Sequence, residues 1–176
     1  MNTLFVGVRR GDVFLAAVLT AIGVVLMIEN MRSTGHGVRI DSHSWLLVPV
    51  FAAATLPILW RRRNLLAVYA VTAAALAVHI AVFDWVVRCG AGLPLAFALS
   101  YAAGRLSIGW QTALGLILTV GIQALVLAKD SAAGLGVLPV TAGIGVVCWG
   151  VGVWLRRRST PLTTVAPELV TVGSRG

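Results

Sequence analysis

The chain has 176 residues, of which 59% are hydrophobic and only 11% are charged. In a typical globular protein about a quarter of the residues are charged, and one soluble domain of this length could not enclose so much apolar surface. The formal net charge is +8, but the basic residues form short clusters beside apolar runs, which argues against a nucleic-acid partner. The composition predicts an all-α, multi-pass membrane protein.

Six apolar segments, separated by charged or polar turns, predict a bundle of six transmembrane helices, since a helix crosses a bilayer with about 17 to 25 residues. In chain order the predicted spans are residues 12–29, 44–60, 65–83, 89–104, 110–128 and 136–155. Pro49 and Pro57 are expected to kink the second span. The first segment is interpreted as a retained span, because no clean signal-peptidase site follows it.

This pattern also predicts the organisation of the chain into three parts. Residues 1–11 are expected to form a cytoplasmic N-terminus, and residues 12–158 the six-helix transmembrane domain. Residues 159–176 contain two prolines and no heptad pattern, so they are expected to form a disordered cytoplasmic tail.

The positions of the basic residues predict the orientation of the spans. With six spans and a cytoplasmic N-terminus, ten of the 14 basic residues face the cytoplasm and four face outwards, in agreement with the positive-inside rule. Omitting the fourth span, which has the weakest helical signal, would leave six inside and eight outside. Both termini are therefore predicted to be cytoplasmic, and the arginine-rich composition favours a bacterial cytoplasmic (inner) membrane. The clusters that determine this topology are Arg61, Arg62, Arg63, Arg156, Arg157 and Arg158.

Small residues recur at helical spacing in two spans and predict where helices pack, because membrane helices associate by close approach at such positions. On the third span the spacing of three and four gives one small face, formed by Ala67, Ala70, Ala74, Ala77 and Ala81. This face is expected to meet another helix, so that added bulk at Ala74 or Ala77 should disturb packing more than loss of bulk at Leu76. In the last span Gly143 and Gly150 lie on one face, and Gly145 and Gly152 on another. The alternative is that Gly and Ala are simply common in membrane helices.

No sequence motif for catalysis, a cofactor or a structural metal is present, so no enzymatic activity, cofactor or metal is predicted. His36, Asp41 and His43 could hold a divalent ion in the first outer loop, but exposed loop histidines are usually solvated. His79 lies inside the third span, with Asp84 and Arg88 just beyond it, and ionisable residues at that depth are candidates for sensing or coupling. The alternative is that His79 bonds a neighbouring carbonyl while Asp84 and Arg88, four apart, pair with each other.

Four segments of the chain resemble the N-terminal membrane region of sensor histidine kinases from GC-rich bacteria. They are "RRGDVFLAAVLTAIGVVLMIE", "LPILWRRRNLLAVYAVTAAALAV", "PLAFALSYAAGRLS" and a last span ending in "WLRRR". In that family a coiled coil and the kinase domains follow the last span, whereas residues 159–176 have no such pattern. The resemblance implies a non-enzymatic, sensor-like membrane module. It leaves open whether the chain acts alone or is a kinase relative without the catalytic half.

A small transporter or permease subunit is the alternative function. Transporters usually have polar residues near the middle of the membrane, and these are few in the predicted spans. The expected partners are the lipid bilayer and either a second copy of the chain or another membrane or signalling protein.

Overall fold

The computed structural model describes residues 7–33 and 39–159, and its regular elements are helices. Residues 1–6, the loop residue His36 and residues 160–176 of the predicted tail lie outside the described residues, whereas Ser159, the first residue of that predicted tail, is the last residue of a helix. The helices are α1 (Arg10–Arg32), α2 (Leu47–Thr55), α3 (Leu65–Phe83), α4 (Cys89–Leu106), α5 (Trp110–Leu127) and α6 (Leu138–Ser159). Short 3₁₀ turns follow α2 (Leu56–Trp60) and precede α6 (Leu135–Val137). The all-helical fold predicted from the composition is confirmed.

The predicted second span is only partly α-helical. Its α-helix ends at Thr55, and a 3₁₀ helix with Pro57 near its start completes the segment to Trp60. Proline lacks the backbone N–H that the next α-helical hydrogen bond would need, so the change of helix type occurs at a residue where a kink was expected. By contrast, α3 coincides with its prediction because Asn64 caps its first turn, accepting a hydrogen bond from the backbone nitrogen of Ala67 at 3.0 Å.

Successive helices run in opposite directions, so that charged segments gather at two ends of the bundle. One end, called here the arginine end, contains nine arginines and a single acidic residue, Asp12, among the described residues. The other, called here the opposite end, contains four basic and four acidic residues. Hydrogen bonds between distant segments define both ends: Arg61 bonds Asp12 at the first, and Asn30 bonds the carbonyl of Val87 at the second.

Four helices of the described chain, α1, α3, α5 and α6, are long and apolar enough to cross a membrane. The helical part of the second segment is shorter, and α4 is less apolar. The position of α4 explains its composition, because it packs against α1, α5 and α6, and Gly90 is its one exposed residue. A helix surrounded by other helices does not need an apolar surface towards lipid.

Close approach of α4 and α6 depends on glycine, as the sequence predicted, but on one face of α6. A Cβ atom on Gly152 would collide with the backbone carbonyl of Tyr101, and one on Gly104 with that of Trp149. Around Gly143 and Gly150 there is open space. Within the chain, therefore, Gly152 mediates the contact, and the predicted packing positions Gly143 and Gly150 meet no other helix among the described residues.

The alanine face of α3 does not pack within the chain. Ala67, Ala70, Ala74, Ala77 and Ala81 are all exposed, whereas the buried residues of α3 are Val68, Tyr69, Thr72, Leu76, His79 and Phe83. At 100° per residue the two sets lie roughly half a turn apart. The expectation that bulk at Ala74 disturbs packing more than truncation of Leu76 is therefore reversed for the single chain. The helix that this face was expected to meet is not found among the described residues.

Candidate functional site

At the arginine end, Asp12 anchors the arginine-rich turn onto α1. Its Oδ1 atom accepts a hydrogen bond from Nε of Arg61 at 2.9 Å and lies 2.7 Å from Nη2 of the same residue. Its Oδ2 atom accepts from Nε of Arg62 at 2.8 Å and from the backbone nitrogen of Arg9 at 3.1 Å. Asp12 is fully buried, while the side chain of Arg61 is 11% and that of Arg62 35% exposed.

This arrangement gives the predicted topology cluster a second role. Two of its three central arginines neutralise a carboxylate that could not be buried alone, because an unpaired charge in an apolar environment costs several kcal/mol. The turn between α2 and α3 is thus tied to the first turn of α1. The sequence analysis did not identify Asp12. It is the one acidic residue next to Arg9 and Arg10 at the start of the first span, and this position could have indicated an ion pair.

At the opposite end, the structure brings the predicted candidates His79 and Arg88 together. Nε of Arg88 donates to Nδ1 of His79 at 3.0 Å, and both side chains are fully buried. Since Nδ1 accepts, the proton of the neutral ring is assigned to Nε2. Nε2 is buried and makes no hydrogen bond within the described residues.

The rest of the Arg88 guanidinium is bound by backbone carbonyls. Nη1 donates to the carbonyl of Lys129 at 2.9 Å and Nη2 to the carbonyl of Asp84 at 2.5 Å. The alternative expectation, an ion pair between the side chains of Asp84 and Arg88, is not met. The carboxylate of Asp84 lies instead 2.9 Å from Nζ of Lys129, without hydrogen-bond geometry, and both side chains are about half exposed. Such an exposed ion pair contributes little to stability.

Asp130 completes this cluster and was missed by sequence reasoning. Its Oδ2 atom accepts hydrogen bonds from the backbone nitrogens of Arg88 at 2.6 Å and Cys89 at 2.7 Å. Its Oδ1 atom accepts from the backbone nitrogens of Ala132 and Ala133, each at 2.9 Å. An aspartate two residues after an apolar span, followed by small residues, is typical of a turn that bonds its own backbone, and this signal was available in the sequence.

Of the outer-loop residues considered for a metal ion, the two that the structure describes, Asp41 and His43, have other partners. Asp41 binds Arg39 through both carboxylate oxygens, at 2.9 and 2.8 Å, and this hydrogen bonding lowers the pKa of Asp41 from its usual value. Nε2 of His43 lies 3.0 Å from the carbonyl of Ser33. Among the residues that the structure describes, no three His, Cys or carboxylate side chains are grouped to hold a metal ion.

In the middle of the bundle, polar side chains are bonded to neighbouring helices. The hydroxyl of Tyr69 lies 2.7 Å from that of Thr119 and donates to the carbonyl of Leu99 at 3.1 Å. The other bonds between helices are Thr20 to Thr55, Thr72 to the carbonyl of Ala54, Ser100 to the carbonyl of Gly145, and Gln123 to the carbonyl of Thr141. These hydrogen bonds connect neighbouring helices and use the polar groups of the side chains that form them.

The chain was compared with protein-family models, with curated proteins and with solved structures, and none of the three comparisons finds a match. They therefore neither support nor oppose the resemblance to the membrane region of sensor histidine kinases. The two polar clusters, Asp12 with Arg61 and Arg62 at one end and His79, Arg88 and Asp130 at the other, are the candidate functional features of the molecule.

Proposed function

We propose that the chain is a non-enzymatic, multi-pass protein of a bacterial cytoplasmic membrane that acts as a sensor-like or interaction module. In this proposal all six helices cross the membrane, with α4 shielded from lipid by its neighbours, and the arginine end faces the cytoplasm. The asymmetry of charge between the two ends of the described chain supports this orientation.

The observation that carries the proposal is that the polar side chains near the middle of the spans are hydrogen-bonded to neighbouring helices. A transporter needs polar groups near the midplane that are free to bind its substrate and can be reached in turn from each side. Here the buried polar side chains Thr72, Ser100, Thr119 and Gln123 are already bonded between helices. Such a bundle is suited to hold a fixed arrangement and present its ends and outer faces, which favours the module over the permease subunit.

In this module, the buried cluster of the opposite end is the proposed sensing element. Arg88 joins the end of α3 to the start of α4 and to the loop after α5, because it bonds His79, the carbonyl of Asp84 and the carbonyl of Lys129. A change at the outer surface that breaks one of these bonds alters the support of three helices at once. The rigid helices then connect this end with the arginine end.

Cysteine accessibility tests the module against the transporter. Cys89 and Cys148 are first replaced by alanine, and single cysteines are introduced at Thr72, Ser100 and Gln123 in intact membranes. We expect a membrane-impermeant maleimide to leave all three unlabelled from either side, while a control cysteine at the exposed Ala132 is labelled. Labelling of the midspan positions would show an aqueous path and would favour transport.

Self-association provides a positive test of the interaction role. The proposed partner is a second copy of the chain or another membrane or signalling protein, and the exposed alanine face of α3 is one place where it could pack. In a membrane two-hybrid assay we expect Ala74→Leu to lower self-association, with Val82→Leu as the control because Val82 is 61% exposed and is not part of the alanine face. A signal that is absent for the unmodified chain would exclude the homodimer.

A further inference from the structure

A polar cavity of about 330 Å³ lies at the arginine end, between the N-terminus of α1, the turn after α2 and the end of α4. Four arginines line it: Arg9, Arg61, Arg62 and Arg105. Asp12, buried against Arg61 and Arg62, is the one acidic residue at this end of the described chain. The cavity therefore keeps a net positive charge after these internal ion pairs are formed.

An apolar groove of about 540 Å³ continues from this cavity into the membrane-spanning part of the bundle. It opens between α1 and α6 over the surface of α4 and is lined by Phe14, Leu15, Phe97, Ala98, Val147 and Val151, among others. Arg61 and Tyr101 line both the groove and the polar cavity. A charged compartment and an apolar compartment are thus contiguous, with a tyrosine where they join.

This combination matches the two chemistries of a phospholipid. Guanidinium groups bind phosphate oxygens through several planar donors, and an acyl chain fits a groove that runs along apolar helix surfaces. A free phosphate or another soluble anion would use the arginines but would leave the groove unexplained. The cytoplasmic leaflet of a bacterial membrane supplies anionic lipids beside exposed arginines.

We propose that the cavity and the groove form one binding site for an anionic phospholipid, with the phosphate held by Arg9, Arg61, Arg62 and Arg105 and an acyl chain lying between α1 and α6. This inference rests on the proposed orientation, in which the arginine end faces the cytoplasmic leaflet. The bound lipid would join α1, α4 and α6 at a position where the packing of these helices leaves a gap.

Lipid binding is measured by native mass spectrometry of the purified chain in mild detergent, titrated with phosphatidylglycerol or with zwitterionic phosphatidylcholine. We expect phosphatidylglycerol to be retained preferentially. Arg105→Gln and Arg9→Gln should each weaken its binding about fivefold, the effect of removing one basic group beside an anionic headgroup. Arg157→Gln removes the same charge from an exposed position outside the cavity and should change binding little.

Two further measurements distinguish a bound lipid from a bound soluble anion. Ala98→Phe fills the groove without altering charge and should weaken lipid binding, while millimolar inorganic phosphate should compete poorly for the site. If phosphate displaces the lipid efficiently and Ala98→Phe has no effect, the site binds a soluble anion and the proposal is wrong. If Arg157→Gln lowers binding as much as Arg105→Gln, the attraction is diffuse and there is no defined site.

The lipid proposal and the proposed function fail through different results. Equal retention of both lipids by a chain whose midspan cysteines stay unlabelled would reject the lipid site and leave the module. Labelled midspan cysteines in a chain that retains phosphatidylglycerol selectively would reject the module and leave the lipid site. Because Arg9 is exposed and its side chain forms no ion pair among the described residues, Arg9→Gln gives a variant whose folding should be unaffected.

Discussion

Asp130 caps helix α4 from a loop 42 residues further along the chain, its Oδ2 atom accepting the backbone N–H of Arg88 at 2.6 Å. The first amides of a helix have no partners within the helix, and Arg88, the residue before α4, offers no side-chain cap. The same carboxylate orders its own loop through two further backbone bonds. The loop between α3 and α4 and the loop after α5 therefore form one structural unit.

Loss of the Asp130 carboxylate should destabilise this unit. We expect Asp130→Ala to lower the free energy of unfolding by at least about 2 kcal/mol, because four backbone amides lose their acceptor at a position that is only 2% exposed. Asp41→Ala removes a carboxylate at the same end whose partner, Arg39, is exposed, and it should lower the free energy of unfolding much less, because exposed ion pairs contribute little to stability. Reversible unfolding in mixed micelles measures both, and equal costs would contradict the capping role.

The contact between His79 and Arg88 should appear as an energetic coupling. His79→Leu and Arg88→Met each leave one buried polar group without its partner, so the double variant should cost less than the sum of the single costs by about 0.5 to 3 kcal/mol. The same unfolding assay gives the coupling. His79→Leu combined with Arg32→Met, at an exposed arginine of the same end, provides the control cycle and should be additive.

Additivity of His79→Leu and Arg88→Met would mean that the 3.0 Å contact contributes nothing to stability. The proposed sensing element would then lose its physical basis. A coupling that disappears after Asp130→Ala would instead show that the cap of α4 positions Arg88.

The charge breaks in the sequence predicted the number of helices and most of their limits well. Arg61 to Arg63 and Asn64 mark the start of α3, and Pro57 marks the change from α-helix to 3₁₀ helix. The charge breaks do not predict which face of each helix is buried. Lipid accommodates leucine and alanine alike, so the spacing of Ala70, Ala74 and Ala77 identifies a small face without indicating which neighbour, if any, it meets.

The candidate site was predictable only in part, for a related reason. His79 and Arg88 were visible because ionisable residues are rare in apolar spans. The carboxylates that complete the two polar clusters lie far from their partners in the chain: Asp12 is 49 residues from Arg61, and Asp130 is 42 residues from Arg88. One sequence gives local spacing, such as the four residues between Asp84 and Arg88, and that spacing suggested an ion pair which the fold does not form.

Truncation of Leu76 should destabilise the chain more than added bulk at Ala74. Leu76 is fully buried against the bundle, so Leu76→Ala should cost about 2 to 5 kcal/mol through lost packing and the cavity left behind. Ala74 is exposed, and Ala74→Leu should change the stability of the monomer by less than about 0.5 kcal/mol. Unfolding at concentrations where the chain is monomeric measures the two costs, and the opposite order would place the alanine face inside the bundle.

Reporter fusions test the proposed topology, including the crossing of α4. A phosphatase that is active only outside the cytoplasm should be active when fused after Ser131 and inactive when fused after Ser107 or Arg158. A cytoplasmic fluorescent reporter should give the complementary pattern. Phosphatase activity after both Ser107 and Arg158 would remove α4 as a crossing helix and reverse the orientation of α5 and α6.

Glycine-to-alanine exchanges on the two faces of α6 should differ in their effect on the stability of the chain. At Gly152 the added methyl group would meet the backbone carbonyl of Tyr101, which belongs to α4 and cannot rotate away as a side chain could. The helices would have to separate, which would also lengthen the bond from Oγ of Ser100 to the carbonyl of Gly145, now 2.7 Å. We therefore expect Gly152→Ala to lower the free energy of unfolding by about 1 to 3 kcal/mol, as added methyl groups do in well-packed cores.

At Gly150 no atom lies within 4 Å of the added methyl group, and alanine is the better helix former by about 1 kcal/mol. Gly150→Ala should therefore leave the stability of the single chain unchanged or raise it slightly. Gly104→Ala, on the facing surface of α4, should behave like Gly152→Ala because its methyl group would meet the carbonyl of Trp149. A loss of stability in Gly150→Ala similar to that in Gly152→Ala would mean that both faces of α6 are packed, the second one by another chain, and the loss should then depend on protein concentration.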